Sequence, residues 1–570
     1  MTLRWPWIAL FVVFVVCIPL FAPDHLFFGD WPNHLAMIGY AGESLKAHAT
    51  LPATFDTNDT IGRATPLFYG SLFLPPLGAL SALFGPRAAL ALAAAAMLFL
   101  QFASVRVLAR DVARDEGIAN ALATIVTWAI YPLTDLYNRA AIPEFFAITT
   151  LQAGSCLWAY YARDPARRPR ASLAAGLLVT LGAGIHPPTA LFGGLTFLAI
   201  WAASLWWSPE PRRVLRRSLA LSAAGAGVLS PWLYVVGKFR GQLQVVHANA
   251  ALQFFSTCVD TVATRLSLLP TPGEGEELRW VTTPHLDAQV SLPLLAALSL
   301  LGVLAVASRR SEAEDREVRR ALAVAAFCAA VTLALFRLST SLSPWSLLPK
   351  SFVIVQFNYR LVPFVNMAAL AALTGVLAAL TRGDGQLAIA RTLLVAALVV
   401  AAVGVAFKLP RCLAGGSPAD AAVTDYANPP RDWYYGTNDY AAPDAFAKLD
   451  RAAPKQAVKL TVGGANGFGV VAPAHVHAGA RTPLTTNVQA FPWNVLTVDG
   501  EPVPHEATLA DGFKLAAWVG PGDHEIGYQF HPDRAWSALH AMSLVLLLLW
   551  AGASAFGPAL ARRSGARFES

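Results

Sequence analysis

Asp30 and His34 stand four residues apart in the run Phe27-Phe28-Gly29-Asp30-Trp31-Pro32-Asn33-His34-Leu35, just after the first hydrophobic stretch. With Pro32 in the first turn of a helix, His34 falls one turn beyond Asp30 on the same side. A carboxylate beside an imidazole can accept and relay a proton. The same residues also suit an interfacial turn, with Trp31 as a belt residue and Asp30 as a cap.

Further polar groups recur where apolar segments begin or turn. Asp135, Tyr137, Asn138, Arg139 and Glu144 precede one such segment; His186 sits in a Gly184-Ile-His-Pro-Pro turn; Lys350, Gln356, Asn358, Tyr359 and Arg360 precede another. Arginine grips phosphate oxygens with a planar fork, and lysine acts as a point charge. Two arginines, a lysine and histidines near carboxylates at one depth therefore suit a phosphorylated lipid. A single arginine here would be read more simply as snorkelling to the interface; the set together favours a site.

The elements that must position these groups are membrane helices. The chain of 570 residues is 55% hydrophobic and only 14% charged, with mean hydropathy +0.48. Soluble proteins carry about 25% charged residues, so the sequence reads as a polytopic membrane protein. Its net charge of +7 sits in short basic loops, which argues for topology rather than nucleic-acid binding. The runs at 163–170, 209–217 and 309–320, Arg382 and Arg391, and the tail at Arg562, Arg563 and Arg567 all belong on the cytoplasmic side. Spans are then expected near 145–161, 171–185, 188–207, 218–236, 290–307, 321–337, 361–380, 392–408 and 536–555. Residues 5–23 read as an uncleaved first anchor.

The front half poses a parity problem. Leu74-Pro75-Pro76-Leu77 interrupts the first of two apolar stretches between 66 and 105, and two prolines break a straight helix. Residues 66–84 are therefore expected to be re-entrant or kinked, beneath the outer site, which such backbone tolerates only when covered. The total is about 12 crossings, with 13 as the alternative. Residues 34–47 have helical spacing and are expected to lie on the membrane surface. The core spans are nearly free of ionisable groups, which weakens a transporter reading.

Residues 409–535 change character. Val458–Val462 alternates, Trp493–Val498 runs into the turn dipeptide Asp499-Gly500, and Phe513–Val519 and His524–Phe530 follow. Short strands bounded by turns predict an extracytoplasmic β-sandwich. The division is 1–408 for the transmembrane part with an outer loop over 24–65, 409–535 for the β-domain, and 536–570 for a final helix and tail. The glycine-rich run Gly463–Gly469 lies in the β-domain without a following helix and reads as a loop; no Walker loop, dinucleotide turn or HExxH motif occurs.

The combined pattern resembles the GT-C superfamily of integral membrane glycosyltransferases, and within it the bacterial YfhO-like membrane proteins, some labelled 6-pyruvoyl-tetrahydropterin-synthase-related. The residues carrying the resemblance are Asp30 and His34 after the first span, Pro66-Leu-Phe-Tyr69 with Leu74-Pro-Pro-Leu77, Arg139 with Glu144, His186-Pro187, Gln356-Phe357-Asn-Tyr-Arg360, and Trp493–Gly500. The last departs from the family's W-x-V-x-V-D-G strand by one extra residue.

The resemblance implies transfer of a sugar from a polyprenyl-phosphate donor to an acceptor glycan, lipid or protein at the extracytoplasmic face of the bacterial inner membrane. Asp30 would be the general base and His34 would orient it. Arg139, Arg360, Lys350 and His186 would hold the departing phosphate, supported by Glu144, Asp135 and Tyr359. A base opposite the leaving oxygen predicts inversion. No metal is required, and Mg²⁺ or Mn²⁺ on Asp30 and Glu144 stays open. In the β-domain, Trp433, Tyr434, Tyr435, Trp493 and Trp518 are candidates to stack on acceptor sugars. The alternative is a non-catalytic scaffold or lipid-glycan handling protein of envelope assembly.

Overall fold

The computed structural model describes residues 4–21, 25–27, 31–69, 71–243, 262–267, 288–308, 316–341, 343–349, 352, 358–381, 384–414, 416–418, 441–449, 455–463, 470–507 and 513–563. Asp30, Lys350, Gln356, Phe357, Trp433, Tyr434 and Tyr435 lie outside these residues.

Most of the chain is helical. The helices are α1 (Trp5–Cys17), α2 (Trp31–His48), α3 (Thr65–Phe68), α4 (Leu74–Phe84), α5 (Pro86–Ala113), α6 (Glu116–Thr127), α7 (Ile130–Leu133), α8 (Ile142–Arg163), α9 (Pro169–Ile185), α10 (Pro187–Trp207) and α11 (Pro211–Phe239). They continue as α12 (Leu292–Ala307), α13 (Arg316–Thr340), α14 (Val362–Leu380), α15 (Asp384–Ala414) and α16 (Arg534–Arg563). Proline opens many of them, at Pro86, Pro143, Pro169, Pro187, Pro211, Pro293 and Pro363. The first turn has no use for the missing N–H, and the fixed φ is already helical. Asp115 caps α6, its Oδ1 accepting from the Ile118 amide at 2.8 Å.

Among the described residues, seven helices are long and apolar enough to cross a membrane, or eight if the bent pair α6 and Ile130–Asn138 is one span. α4 has 11 residues and so is about 16 Å long, roughly half the apolar thickness of a bilayer. It packs closely on α2. A Cβ added at Gly78 would meet the Ala41 Cβ at 2.9 Å, and one at Gly42 would meet Ser81 Oγ at 2.6 Å. Small residues at such crossings let two backbones approach.

α2 corrects one expectation. The helix spans Trp31–His48 and is buried on most of its circumference, including His34, Leu35, Ile38, Ala41 and Ser44. The glycines and alanines that look like a weak apolar face are packing surfaces for α4, so α2 is packed inside the protein rather than lying on it as a peripheral helix.

The C-terminal region carries two four-stranded sheets. One runs β10 (His505–Ala507), β11 (Lys514–Val519), β7 (Thr482–Gln489), β3 (Gln456–Ala457); the other runs β6 (Ala474–Ala478), β12 (Gly522–Phe530), β8 (Asn494–Val498), β9 (Glu501–Pro502); two further pairs join β1 (His25–Phe27) to β2 (Gly416–Pro418) and β4 (Thr461–Val462) to β5 (Val471–Ala472). Leu484, Val488, Leu515 and Ala517 of the first sheet share one apolar cluster with Val476, Leu496 and Ile526 of the second. Alternation along β6 and β12 drives this: inward Val476 and Ile526 are buried while His475, His477 and Glu525 are exposed.

This region is locked to the segment after α2. Ile61 bridges Val488 in parallel, its N–H bonding Asn487 O at 2.9 Å and its carbonyl receiving Gln489 N–H at 2.8 Å. Gly62 follows at φ 72°, and a Cβ there would strike the Asn494 side chain at 2.6 Å. Thus residues assigned by sequence to the outer loop add to the β-region's own hydrogen bonding. Phe239 at the end of α11, Phe491, Trp493, Phe530 and Trp536 form an aromatic cluster at the same junction.

Candidate functional site

The site is built on an irregular turn. After α7 the chain widens into a π-helical turn, Thr134–Asn138, in which the Arg139 N–H bonds Thr134 O at 2.8 Å. Ala140 follows at φ 54°, a left-handed conformation that costs a non-glycine residue of order 1–3 kcal/mol. Such turns re-aim side chains and recur at functional positions. Here the turn brings Asp135 and Arg139 back against Glu144 in the first turn of α8.

The charges meet in one buried network. Arg139 Nη1 donates to Glu144 Oε2 at 2.8 Å and to Asp135 Oδ1 at 3.1 Å. Arg360 Nε, from the turn leading into α14, lies 3.1 Å from Glu144 Oε2. Tyr131 donates its hydroxyl to Glu144 Oε1 at 3.0 Å. The Arg139 guanidinium sits 5.4 Å from the centre of the Tyr359 ring. Glu144 is 1% exposed and Asp135 fully buried. Two cations and two carboxylates at such burial are tolerable only as partners of one another.

A ring wall adjoins this network. His34 stacks on Tyr69 at 6.2 Å between ring centres and meets Phe73 edge-on at 6.1 Å. Tyr69 in turn meets His186 edge-on at 6.0 Å, and His186 Nδ1 shares a hydrogen bond with Thr189 Oγ1 at 2.7 Å. Among the described residues, neither ring nitrogen of His34 has a hydrogen-bond partner. Burial pushes the His34 imidazole down to about 3, and the nearby charge of Arg139 adds to this, so the ring is neutral at physiological pH.

Of the residues singled out by sequence, His34, Asp135, Arg139, Glu144, His186, Tyr359 and Arg360 therefore gather at one end of the helical bundle. Arg139 and Arg360 arrive already bound to Glu144. The reading of Glu144 as a Mg²⁺ or Mn²⁺ ligand does not fit: its oxygens are engaged by two guanidinium groups and a phenol, and a divalent ion would have to displace them. Trp493 also needs correction as a sugar-stacking residue. It is 3% exposed, with its faces taken by Phe239 at 5.2 Å, Trp536 at 5.5 Å and Phe491 at 5.8 Å. Trp518 is 38% exposed and carries Arg481 over its ring at 5.3 Å.

One participant escapes a sequence reading, and so does the place of a second. Tyr131 reaches Glu144 only because α7 is bent by 44° from α6. Tyr69 is legible as part of the proline-rich stretch, but its place between two histidines depends on the fold of α3 and α4.

Comparison with protein families, with curated proteins and with solved structures finds no match to this chain.

Proposed function

We propose that the chain is a multi-pass membrane glycosyltransferase of GT-C type, moving a sugar from a polyprenyl-phosphate donor to an acceptor glycan or lipid at the extracytoplasmic face. The observation carrying this reading is the convergence of Arg139, Arg360 and His186 with His34 beside them, at the end of the bundle where the β-region docks. On this reading Asp30, directly before α2, is the general base and His34 orients it. Arg139 and Arg360 exchange part of their hold on Glu144 for the departing phosphate, with Lys350 assisting. Charge growing on that phosphate is stabilised by donors already aimed.

The topology supports a membrane role. The apolar helices Trp5–Phe21, Pro169–Ile185 and Leu292–Ala307 are shorter than the others; counted as spans together with α8 and the bent pair, they bring the crossings of this reading to about 12. The basic loops collect at the opposite end of α8: Arg163 and Arg168 both contact Asp111, at 2.6 and 2.5 Å, and Arg391 pairs with Asp115. This is the distribution expected of a cytoplasmic face. The two β-sheets then form an extracytoplasmic sandwich capping the site.

The test is incorporation of labelled sugar from polyprenyl-phosphate donors into envelope glycan, comparing wild type with Asp30→Asn and Arg360→Gln. Loss of about 10²-fold or more is expected in each. Full activity in Asp30→Asn would remove the base. The second reading, a non-catalytic scaffold or lipid-glycan handling protein, draws on the pairing of both arginines with Glu144, which suits a structural clasp. Absence of transfer by wild type with every donor offered would favour it.

A further inference from the structure

The exposed face of the second β-sheet holds a group of side chains that the proposed transfer reaction does not use. β6 is one of the two outer strands among the described residues, and His475 and His477 project outward from it on either side of buried Val476. On the neighbouring strand β12, Asp523 is directly opposite His477 and Glu525 directly opposite His475. Directly opposed residues in such a ladder have Cβ atoms about 5 Å apart, and alternate residues of one strand share a face. Two imidazoles and two carboxylates therefore occupy the corners of one small rectangle. They line a hollow of about 420 Å³ with Asp499 and His524.

We propose that His475 and His477, with Glu525, bind a divalent transition-metal ion of the zinc class, and that Asp523 orients His477. The geometry points to these roles individually. His477 Nδ1 is 2.7 Å from Asp523 Oδ1, which fixes Nδ1 as the donor and turns the Nε2 lone pair outward. A carboxylate on the far nitrogen is the usual outer partner of a metal-bound histidine and raises its basicity. His475 Nε2 lies 3.9 Å from Glu525 Oε2, too long for a hydrogen bond, so neither group is committed. Imidazole nitrogens and one carboxylate oxygen, with water completing a tetrahedron, form a familiar zinc ligand set. His524 is excluded from the ligand set: its Nδ1 faces Asp499 Oδ2 at 2.8 Å and its Nε2 faces the Gly520 carbonyl at 3.1 Å.

Among the described residues no three metal-ligating groups already converge on one point. Closing them on an ion requires rotation of His475 and Glu525, whose side chains are 78% and 48% exposed.

The experiment is calorimetric titration of Zn²⁺ into the full, untagged, metal-stripped chain in detergent. One equivalent is expected to bind saturably. His475→Ala and His477→Ala are each expected to weaken it at least tenfold, and Asp523→Asn by about 10-fold or more through loss of the orienting partner. His531→Ala, on a histidine outside the rectangle, should leave the titration unchanged. All these side chains are exposed, so the variants fold. Absence of saturable binding by wild type would overturn the proposal, as would equal binding by the His475→Ala, His477→Ala double variant.

Discussion

Arg360 Nε lies 3.1 Å from Glu144 Oε2, the oxygen that also receives Arg139 Nη1 at 2.8 Å. One carboxylate thus joins residues 139 and 360, from turns far apart in sequence, at the mouth of α8. The pairing sets the resting charge of the site.

Glu144→Gln should be strongly destabilising. It removes the anion that two buried guanidinium groups share and leaves Asp135 as the remaining carboxylate of the network. Breaking a buried pair in this way costs about 3–5 kcal/mol. Thermal unfolding in detergent should show a large fall in midpoint, and an unchanged midpoint would mean the network does not hold the helices together.

The α2–α4 contact should tolerate no added bulk. Gly78→Val places atoms where Ala41 already lies within 2.9 Å of a simple Cβ, and overpacking of this kind costs about 1–3 kcal/mol. Gly302→Val, where nothing lies within 4 Å, is the control and should unfold at nearly the wild-type temperature. Equal behaviour of the two variants would argue against the close crossing.

Asn494 is the staple between the β-region and the segment after α2. Its Nδ2 donates to Gly62 O at 2.8 Å and Gln489 O at 2.9 Å, and its Oδ1 accepts from the Tyr528 hydroxyl at 3.1 Å. Asn494→Ala should cost roughly 1–3 kcal/mol for each buried group left unpaired. Amide hydrogen exchange across residues 55–63 should accelerate in the variant; protection equal to wild type would mean that the aromatic cluster alone holds the junction.

The same junction should respond to pH through Lys514. Burial pushes its ammonium down from 10.5 to about 7, with Arg63 adding to the effect and Asp59 opposing it. Its Nζ donates to Asp59 O at 3.2 Å and to Thr60 Oγ1. Between pH 7 and 10.5 the unfolded chain binds more protons here than the folded one, so folded stability gains as pH rises through that window. Unfolding at pH 7 and pH 9 should show a gain for wild type that is smaller in Lys514→Met. Equal gains would assign the effect to other groups.

Much of the scaffold is legible in the sequence because its signals are local. Prolines mark helix starts, apolar runs mark the long helices, and Asp499-Gly500 marks a hairpin between β8 and β9, paired Val498 to Glu501. The proline-rich 66–84 stretch is divided into α3 and α4, with Pro75 and Pro76 in the first turn of α4 rather than within a kinked helix. The burial of α2 was not legible, since its small residues look the same whether they face lipid or another backbone. Trp493 posed the same ambiguity, and Phe239 from a distant helix resolves it.

The sequence by itself determined where the long apolar helices run and which polar residues stand at their ends, because hydrophobic length, proline and charge act through near neighbours. Only the tertiary structure decided that Arg139 and Arg360 share one carboxylate, that Tyr131 completes it, that His34 packs between Tyr69 and Phe73, and that His475 and His477 face Glu525 and Asp523. Each of those relationships depends on a bend, a packed crossing or a strand register, and these are set by the competition of many distant contacts for the same space.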